Sequence, residues 1–183
     1  MIFEAIEIIR TELAAKAGIT VGIGNISEII NDTAHHHAGD VVISLINIEE
    51  NRISRDPGNY LKKDGGILMK NPAVHLNLSL LFTSVRNNSA YGKSLKDLQE
   101  VIGAFQAKNV FDHSNTPTLS PKIEKLILDM VSLNLQQLHE IWSVLGGRYY
   151  PSVVYRMRMV TIDSVTTLHG DLVKEIDLNF INQ

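Results

Sequence analysis

An alternation of apolar and polar residues marks the segment 71–83 as the centre of the chain. Its two sets of alternate positions are Val74, Leu76, Leu78, Leu80 and Phe82 on one side and His75, Asn77, Ser79, Leu81 and Thr83 on the other. A period of two is typical of a β-strand, because successive strand side chains point to opposite faces. Pro72 fits the start of this strand, since it has no N–H to donate to a neighbour. We therefore predict a central strand with one face against helices and a polar face that is hydrated or contacts another protein.

Spacings of three and four residues between apolar positions predict four amphipathic helices. They cover residues 2–17, 94–107 (with Leu95 in its apolar stripe), 120–133 and 135–145. Gly18 is a favoured residue at a helix C-terminus. Ser120, which precedes a proline, suits a helix start. Asn134 with Gln137 three residues later matches a capping box.

The remaining segments divide into strands and loops. Strands are predicted at 41–50, at 151–163 and within 19–30, a long hairpin loop at 51–70 and an irregular segment at 109–119. Residues 41–50 are apolar on both faces as far as Asn47, which indicates the interior of a sheet.

This order of elements predicts an α+β fold, in which a mixed, largely antiparallel β-sheet packs against helices. Residues 1–163 are predicted to form the α+β domain, and residues 164–183 an extended arm or edge strand. The length of 183 residues and a hydrophobic content of 44% suit one domain with one sizeable core.

Composition and charge narrow the classes of function. The net charge is −3 and no basic block occurs, which argues against nucleic acid as a partner. The chain has no cysteine, so neither disulfides nor thiolate metal sites can form. No apolar run approaches the roughly 20 residues of a membrane helix, and the N-terminus lacks a signal-peptide pattern. We expect assembly in the cytoplasm and no membrane contact.

The chain has few motifs that could bind a metal or a cofactor. His35, His36 and His37 stand in a polar segment with acidic residues nearby, but a solvated loop is the commoner context for such a run. Gly22 and Gly24 resemble the start of a dinucleotide-binding motif, which needs a third glycine that is missing here.

Isolated ionisable residues add no clearer site. Glu49, Glu50 and Asp163 suit solvated strand ends better than an acid–base pair, and His75 suits a hydrogen-bonded or interface position. We therefore predict no catalytic residue, cofactor or metal. Arg156 and Arg158, within a strand, need carboxylate partners or an exposed, partner-facing side.

Several segments together resemble a known family. They are Val42-Ile43-Ser44-Leu45-Ile46-Asn47-Ile48-Glu49-Glu50, Asn71-Pro72-Ala73-Val74-His75-Leu76-Asn77-Leu78, Phe105-Gln106-Ala107-Lys108, Asn115-Thr116-Pro117 and Leu145-Gly146-Gly147-Arg148-Tyr149-Tyr150-Pro151 with the strand that follows. The combination resembles the cap, or tail-terminator, protein of phage-tail-like contractile injection systems of the antifeeding-prophage and Photorhabdus-virulence-cassette type. The resemblance extends over residues 1–165 and implies a tail-terminator-like fold.

The resemblance implies a structural, non-enzymatic function. Such caps form a homo-hexameric ring on the last ring of the inner tube protein, end tube growth and hold the distal end of the sheath protein. It also implies that the protein becomes part of a particle that can be released from the cell. Some members of the family carry a further C-terminal region, whose functions we do not expect in these 183 residues.

The contact residues are predicted from the polar loops, the strand arginines and the arm. The loops 52–70 and 86–93 are expected to face the tube, and the arm 164–183 a neighbouring subunit or the sheath. The predicted contact residues are Arg52, Arg55, Tyr60, Lys62, Lys63, Arg86, Tyr91, Lys93, Arg156, Arg158, Leu178 and Phe180.

Two other interpretations remain open at this point. The chain could be a small cytoplasmic metal-binding or enzymatic domain that uses the loop from His35 to His37. It could also be a completion protein at the neck of a true phage tail.

Overall fold

The computed structural model describes residues 1–31, 40–51, 60–63, 66–69, 75–86, 90–161 and 169–170. The helices in these ranges are α1 (Ile2–Ala17), α2 (Ile26–Asn31), α3 (Tyr91–Ala107) and α4 (Leu135–Val144). The strands are β1 (Val21–Ile23), β2 (Val41–Glu50), β3 (Tyr60–Lys63), β4 (Gly66–Met69), β5 (Leu76–Ser84), β6 (Val110–Asp112), β7 (Ile123–Val131), β8 (Ser152–Thr161) and β9 (His169–Gly170). Within these ranges no helix combines the length and apolar character needed to cross a membrane.

The main sheet has six strands in the order β1-β2-β5-β8-β7-β6. β1 runs parallel to β2, and the other neighbouring pairs are antiparallel. The predicted central strand is therefore confirmed as β5, which lies between β2 and β8. The predicted α+β fold with a largely antiparallel sheet is also confirmed.

Helices α1 and α3 cover one face of the sheet, which we call the front face. The buried residues that meet there include Ile9 and Leu13 from α1, Phe105 from α3, and Leu78 and Leu80 from β5. The alternation in β5 predicts this arrangement, because every second side chain points to the same side. Gly18 ends α1 with a φ of 63°, a left-handed conformation that glycine adopts without strain.

Three aromatic rings occupy the centre of the front core. Phe82 lies edge-on to Phe105 with ring centres 5.3 Å apart, and edge-on to Tyr155 at 5.6 Å. Phe105 and Tyr155 are themselves 4.9 Å apart. Edge-to-face contacts at these distances add to the stabilisation from burial. The three rings therefore join α3 to β5 and β8.

The predicted helix at residues 120–133 is wrong, because this segment forms β7. The inward-facing Ile123 and Leu126 are three positions apart, as in a helix, but this spacing results from a β-bulge between Ile123 and Lys125. The extra residue lets Ile123, Leu126 and Leu128 all enter the front core. Met130, which the helical interpretation would bury, is exposed.

The segments around β1 and β6 differ from prediction in part. Residues 19–30 contain the expected short strand, but a helix, α2, follows it. Asn25 begins this helix, since its side-chain oxygen accepts a hydrogen bond from the N–H of Ser27 at 3.1 Å. The predicted irregular segment 109–119 contains strand β6, whose Phe111 is buried.

A second, smaller sheet has the order β3-β4-β9. Strands β3 and β4 lie within the segment predicted as a hairpin loop, so this loop contains a paired hairpin of its own. His169–Gly170 from the predicted arm pairs antiparallel with β4. The rest of the arm lies outside the described residues.

Two predicted burial patterns are corrected. β2 is buried only over its first four residues, and Leu45 and Ile48 are 37% and 49% exposed. β1 pairs only with Val41–Ile43. Leu95, predicted in the apolar stripe of α3, is 49% exposed. The polar residues Ser94 and Asp97 take the inward positions of this turn instead.

Candidate functional site

The back face of the sheet, opposite α1 and α3, is only partly covered by helices. Near one end of the sheet, α2 and α4 bury Leu81 of β5 and Val154 of β8 beneath Ile26 and Trp142. Toward the other end, the back face carries polar side chains, among them Asn77 and Ser79. The prediction that this face is hydrated or contacts another protein is therefore wrong for its covered end, where α2 and α4 of the same chain bury Leu81, and it stays a prediction for the other end.

The two ends of α4 are fixed by the capping signals predicted for them. Asn134 accepts a hydrogen bond from the N–H of Gln137 at 2.8 Å, and the side chain of Gln137 accepts one from the N–H of Asn134 at 3.0 Å. Gly146 and Gly147 follow the helix with φ values of 108° and 78°. This positive φ lets the N–H of Gly147 reach the carbonyl of Trp142 at 2.7 Å, so the chain turns sharply into β8.

An apolar groove of about 480 Å³ lies between α4 and the sheet, and we call it the α4 groove. Its lining consists of Leu45, Ile46, Asn47, Ser79, Val131, Leu133, Glu140, Ile141, Val144, Leu145, Val154 and Arg156. Val144 is 86% exposed although it is apolar and lines this groove. An exposed apolar concavity with a polar rim is typical of a surface that another molecule covers.

The two strand arginines lie on the open half of the back face. Arg158 forms an ion pair with Asp129 of β7, with a nitrogen–oxygen distance of 2.8 Å. Arg156 stands opposite Asp129 in the strand register, is exposed, and has no ion-pair partner within the described residues. The prediction of carboxylate partners thus applies to Arg158, whereas Arg156 leaves its charge available at the rim of the α4 groove.

The exposed edge of β2 borders the same groove. A register shift between Leu45 and Asn47 marks a β-bulge there. The side-chain oxygen of Asn47 accepts a hydrogen bond from the backbone N–H of Ile48 at 2.9 Å. A bulge and a side chain bonded to the backbone both hinder further strand pairing.

Arg86 lies at the covered end of the sheet and joins three parts of the chain. Its guanidinium donates to Asp97 of α3 at 2.5 Å and pairs with Asp40, ahead of β2, at 2.9 Å. Ser84 also donates to Asp97, at 3.0 Å. The hydrogen bond from Arg86 to Asp97 raises the pKa of the guanidinium above its ordinary value. Arg86 therefore stabilises the fold, and its predicted contact with the tube stays a prediction.

The other predicted contact residues do not converge on one site. Tyr91, which is 54% exposed, and Lys93 lie in the first turn of α3, on the side of the front face. Tyr60, Lys62 and Lys63 belong to β3 of the small sheet. Arg52, Arg55, Leu178 and Phe180 lie outside the described residues. No finding tests their contact role, and it stays a prediction.

Residues considered for chemistry give no assembled centre in the described part of the chain. Its His, Asp and Glu side chains include no group of three placed to hold a metal ion. Glu49 and Glu50 are exposed on β2. Asp163 and the run from His35 to His37 lie outside the described residues. The metal-binding interpretation of that run is therefore not tested by the structure.

The α4 groove itself was not predicted from the sequence. Its one local signal is Val144, an apolar residue that lies off the inward stripe of Leu138, Ile141 and Leu145. The opposite wall comes from β2 and β7, which are distant in sequence and meet only through the topology of the sheet.

A comparison with known families decides where the chain belongs. Residues 4–175 match the model of the Pvc16 N-terminal domain. The chain belongs to the Pvc16 N-terminal domain family. The resemblance to contractile-injection caps that the sequence indicated is thereby confirmed. Among curated proteins, none matches this sequence.

Two solved structures share the fold of this Pvc16 N-terminal domain. One is the sheath/tube terminator of PVC, an extracellular contractile injection system, in its extended state, with a TM-score of 0.63 and 14% identity over 100% of this chain and 64% of that one. The other is the tube-terminating cap of the anti-feeding prophage, with a TM-score of 0.65 and 15% identity over 96% of this chain and 60% of that one. The chain spans about three-fifths of the length of either protein.

Proposed function

We propose that this Pvc16 N-terminal domain is a structural cap of a contractile injection system. In this proposal six copies close into a ring on the last ring of the inner tube, end its growth and hold the distal end of the sheath. The observation that carries the proposal is the match to the family over residues 4–175. The fold shared with a sheath/tube terminator and a tube-terminating cap supports it.

A ring ends a polymer of stacked rings when it has only one of the two surfaces, top and bottom, through which those rings bind one another. Tube rings stack because the top of one ring binds the bottom of the next, so growth continues while both surfaces are offered. A cap binds the final ring on one side and offers no matching surface on the other. Closed rings of this kind use heterologous contacts whose rotation closes on itself. No catalytic step is needed for this function.

Two described segments belong to the regions that we propose make these contacts. The exposed Tyr91 and Lys93 at the start of α3 stand at the end of the loop 86–93, which we propose contacts the tube. Strand β9 is the described part of the arm 164–183 and pairs with the hairpin of β3 and β4. We propose that the arm contacts a neighbouring copy or the sheath.

The location of the chain on purified particles tests this function. We expect an epitope tag on the protein, viewed by gold labelling in electron microscopy, to mark one end of each particle, with the opposite baseplate end unlabelled. A tag on the sheath protein, which should label the whole shaft, is the control. Label along the shaft, at the baseplate, or absent from intact particles would contradict the proposal.

A further inference from the structure

Helix α4 is attached to the sheet by fewer buried side chains than the helices of the front face. Trp142, which is 3% exposed, is the one fully buried residue among the ten of α4. Helix α1 buries five of its sixteen residues, and α3 buries four of its seventeen. Beside Trp142, α4 and the residue after it contribute partly buried side chains, namely Leu138, Ile141 and Leu145. The attachment of α4 therefore depends mainly on one side chain.

The hydrogen bonds of α4 lie within its own segment, residues 134–147. The capping box closes the first turn, and after the last turn the N–H of Gly147 donates to the carbonyl of Trp142 at 2.7 Å. Among the described residues, no hydrogen bond or ion pair joins α4 to the sheet. Apolar contacts alone therefore hold α4 in place there, and breaking them leaves the hydrogen bonds of the sheet intact.

The helices of the front face have polar attachments that α4 lacks. Lys108, which follows α3, pairs with Glu12 of α1 at 2.7 Å. Asp97 of α3 accepts hydrogen bonds from Arg86 and from Ser84 of β5. Because these contacts join α1, α3 and the sheet to one another, we expect the three to unfold together.

The side chain that anchors α4 carries an unpaired polar group. The indole N–H of Trp142 is buried, and no described residue accepts a hydrogen bond from it. A buried N–H without an acceptor costs free energy, which hydration of the ring would recover. Tyr149, with its ring centre 5.8 Å from that of Trp142, is 56% exposed and follows α4 closely in the chain. This contact can persist when Trp142 leaves the sheet, so undocking costs less than the burial of Trp142 alone suggests.

The turn after α4 leaves room for movement. A side chain added at Gly146 or at Gly147 would meet no atom within 4 Å, so the turn is not wedged between other elements. Helices shorter than about 12–15 residues are marginal in water unless they pack on a neighbour. With ten residues, α4 would lose its helical hydrogen bonds once it left the sheet.

We propose that residues 134–147 open as a local unit, which releases α4 and Trp142 from the back face while the main sheet, α1 and α3 stay folded. Proteins open in such units where few apolar contacts hold a segment. The opening uncovers more of Leu81 and Val154 and so enlarges the apolar surface of the α4 groove. The covered end of the back face thus has two states. The inference goes beyond the proposed cap function and does not depend on it, because the opening is a property of the single chain.

Native-state hydrogen exchange of the purified chain, followed by mass spectrometry, tests this opening. After correction for intrinsic exchange rates, amides of α4 are expected to exchange at least about tenfold faster than those of α3. Trp142 is the single tryptophan of the chain, so tryptophan emission reports on α4 alone. This emission should shift at lower urea concentrations than those that abolish the circular dichroism of the sheet. Protection of α4 equal to that of α3, or coincident fluorescence and dichroism transitions, would overturn the inference.

A matched pair of variants separates local from global opening. Trp142 and Phe105 are both aromatic helix residues at 3% exposure, but Phe105 belongs to the front core. Trp142→Leu should speed exchange in α4 at least about tenfold and leave α1 and α3 unchanged, whereas Phe105→Leu should speed exchange in α1, α3 and the sheet together. Equal acceleration of all segments by Trp142→Leu would show that α4 is part of the same cooperative unit and would contradict the inference. The exchange pattern of the parent chain decides the question if either variant fails to fold.

Discussion

Replacing Phe82 by alanine is expected to lower the free energy of unfolding by about 3–5 kcal/mol, the usual range for a buried phenylalanine. Phe82 is 0% exposed, and its ring contacts both Phe105 and Tyr155. The substitution removes one ring of the trio and leaves a cavity between α3 and the two central strands. Such a loss approaches the whole stability of many domains, so a large unfolded fraction is expected at 37 °C.

Chemical denaturation followed by circular dichroism measures this loss. The control is Leu95→Ala, on the outer side of α3, where the side chain is 49% exposed. A change within about 0.5 kcal/mol is expected for such a surface substitution. A loss below about 1 kcal/mol for Phe82→Ala would mean that the three rings do not form the centre of the core.

Replacing Arg86 by methionine is expected to cost about 3 kcal/mol, near the lower end of the range for breaking a buried ion pair. The side chain of Asp97 is 6% exposed, so removal of Arg86 leaves a carboxylate without its cation in the interior. Arg86 is itself 24% exposed, and water that reaches its position moderates the cost. The covered end of the sheet, where Asp40, Ser84 and α3 meet, should loosen first.

A double variant distinguishes the unpaired charge from a loss of packing. Arg86→Met combined with Asp97→Leu removes both charges and should recover most of the lost stability, because no buried ion is then left alone. The matched control is Arg158→Met. Its partner Asp129 is 46% exposed, and an exposed pair contributes under about 1 kcal/mol. Equal losses for Arg86→Met and Arg158→Met would contradict the assigned role of Arg86.

The sequence predicted correctly those helices and strands in which the local residue pattern and the position in the fold favour the same conformation. Helix α1 combines an apolar stripe with a terminal glycine, and α4 has a capping box that the structure reproduces. Strand β5 alternates strictly and lies at the centre of the sheet. In each case the local preference and the tertiary position favour the same conformation.

The errors arose where tertiary structure changes the meaning of a pattern. In β7 a bulge converts a period of two into a step of three residues, which imitates a helix. In α3 the apolar Leu95 points outward, while Asp97 points inward because Arg86 and Ser84 satisfy its carboxylate. Neither partner adjoins Asp97 in the sequence, so its burial could not be predicted from the helix alone.

The candidate site was less predictable than the fold. Arg156 and Arg158 were expected to need carboxylate partners or an exposed, partner-facing side; Arg158 pairs with Asp129, and Arg156 is exposed. The α4 groove depends on the crossing of β2, β7 and β8 under a helix, a relation that no local pattern contains. The two terminators that share this fold are only about 15% identical to the chain, so the contact residues cannot be identified from them by sequence.

The length of the inner tube in particles made without this chain tests the central claim most directly. If the chain caps the tube, electron micrographs of the deletion strain should show a broad distribution with overlong or frayed tubes and sheath lost from the distal end. Supplying the intact chain from a plasmid should restore a single sharp length. A length distribution and distal end identical to those of the parent particles would contradict the account.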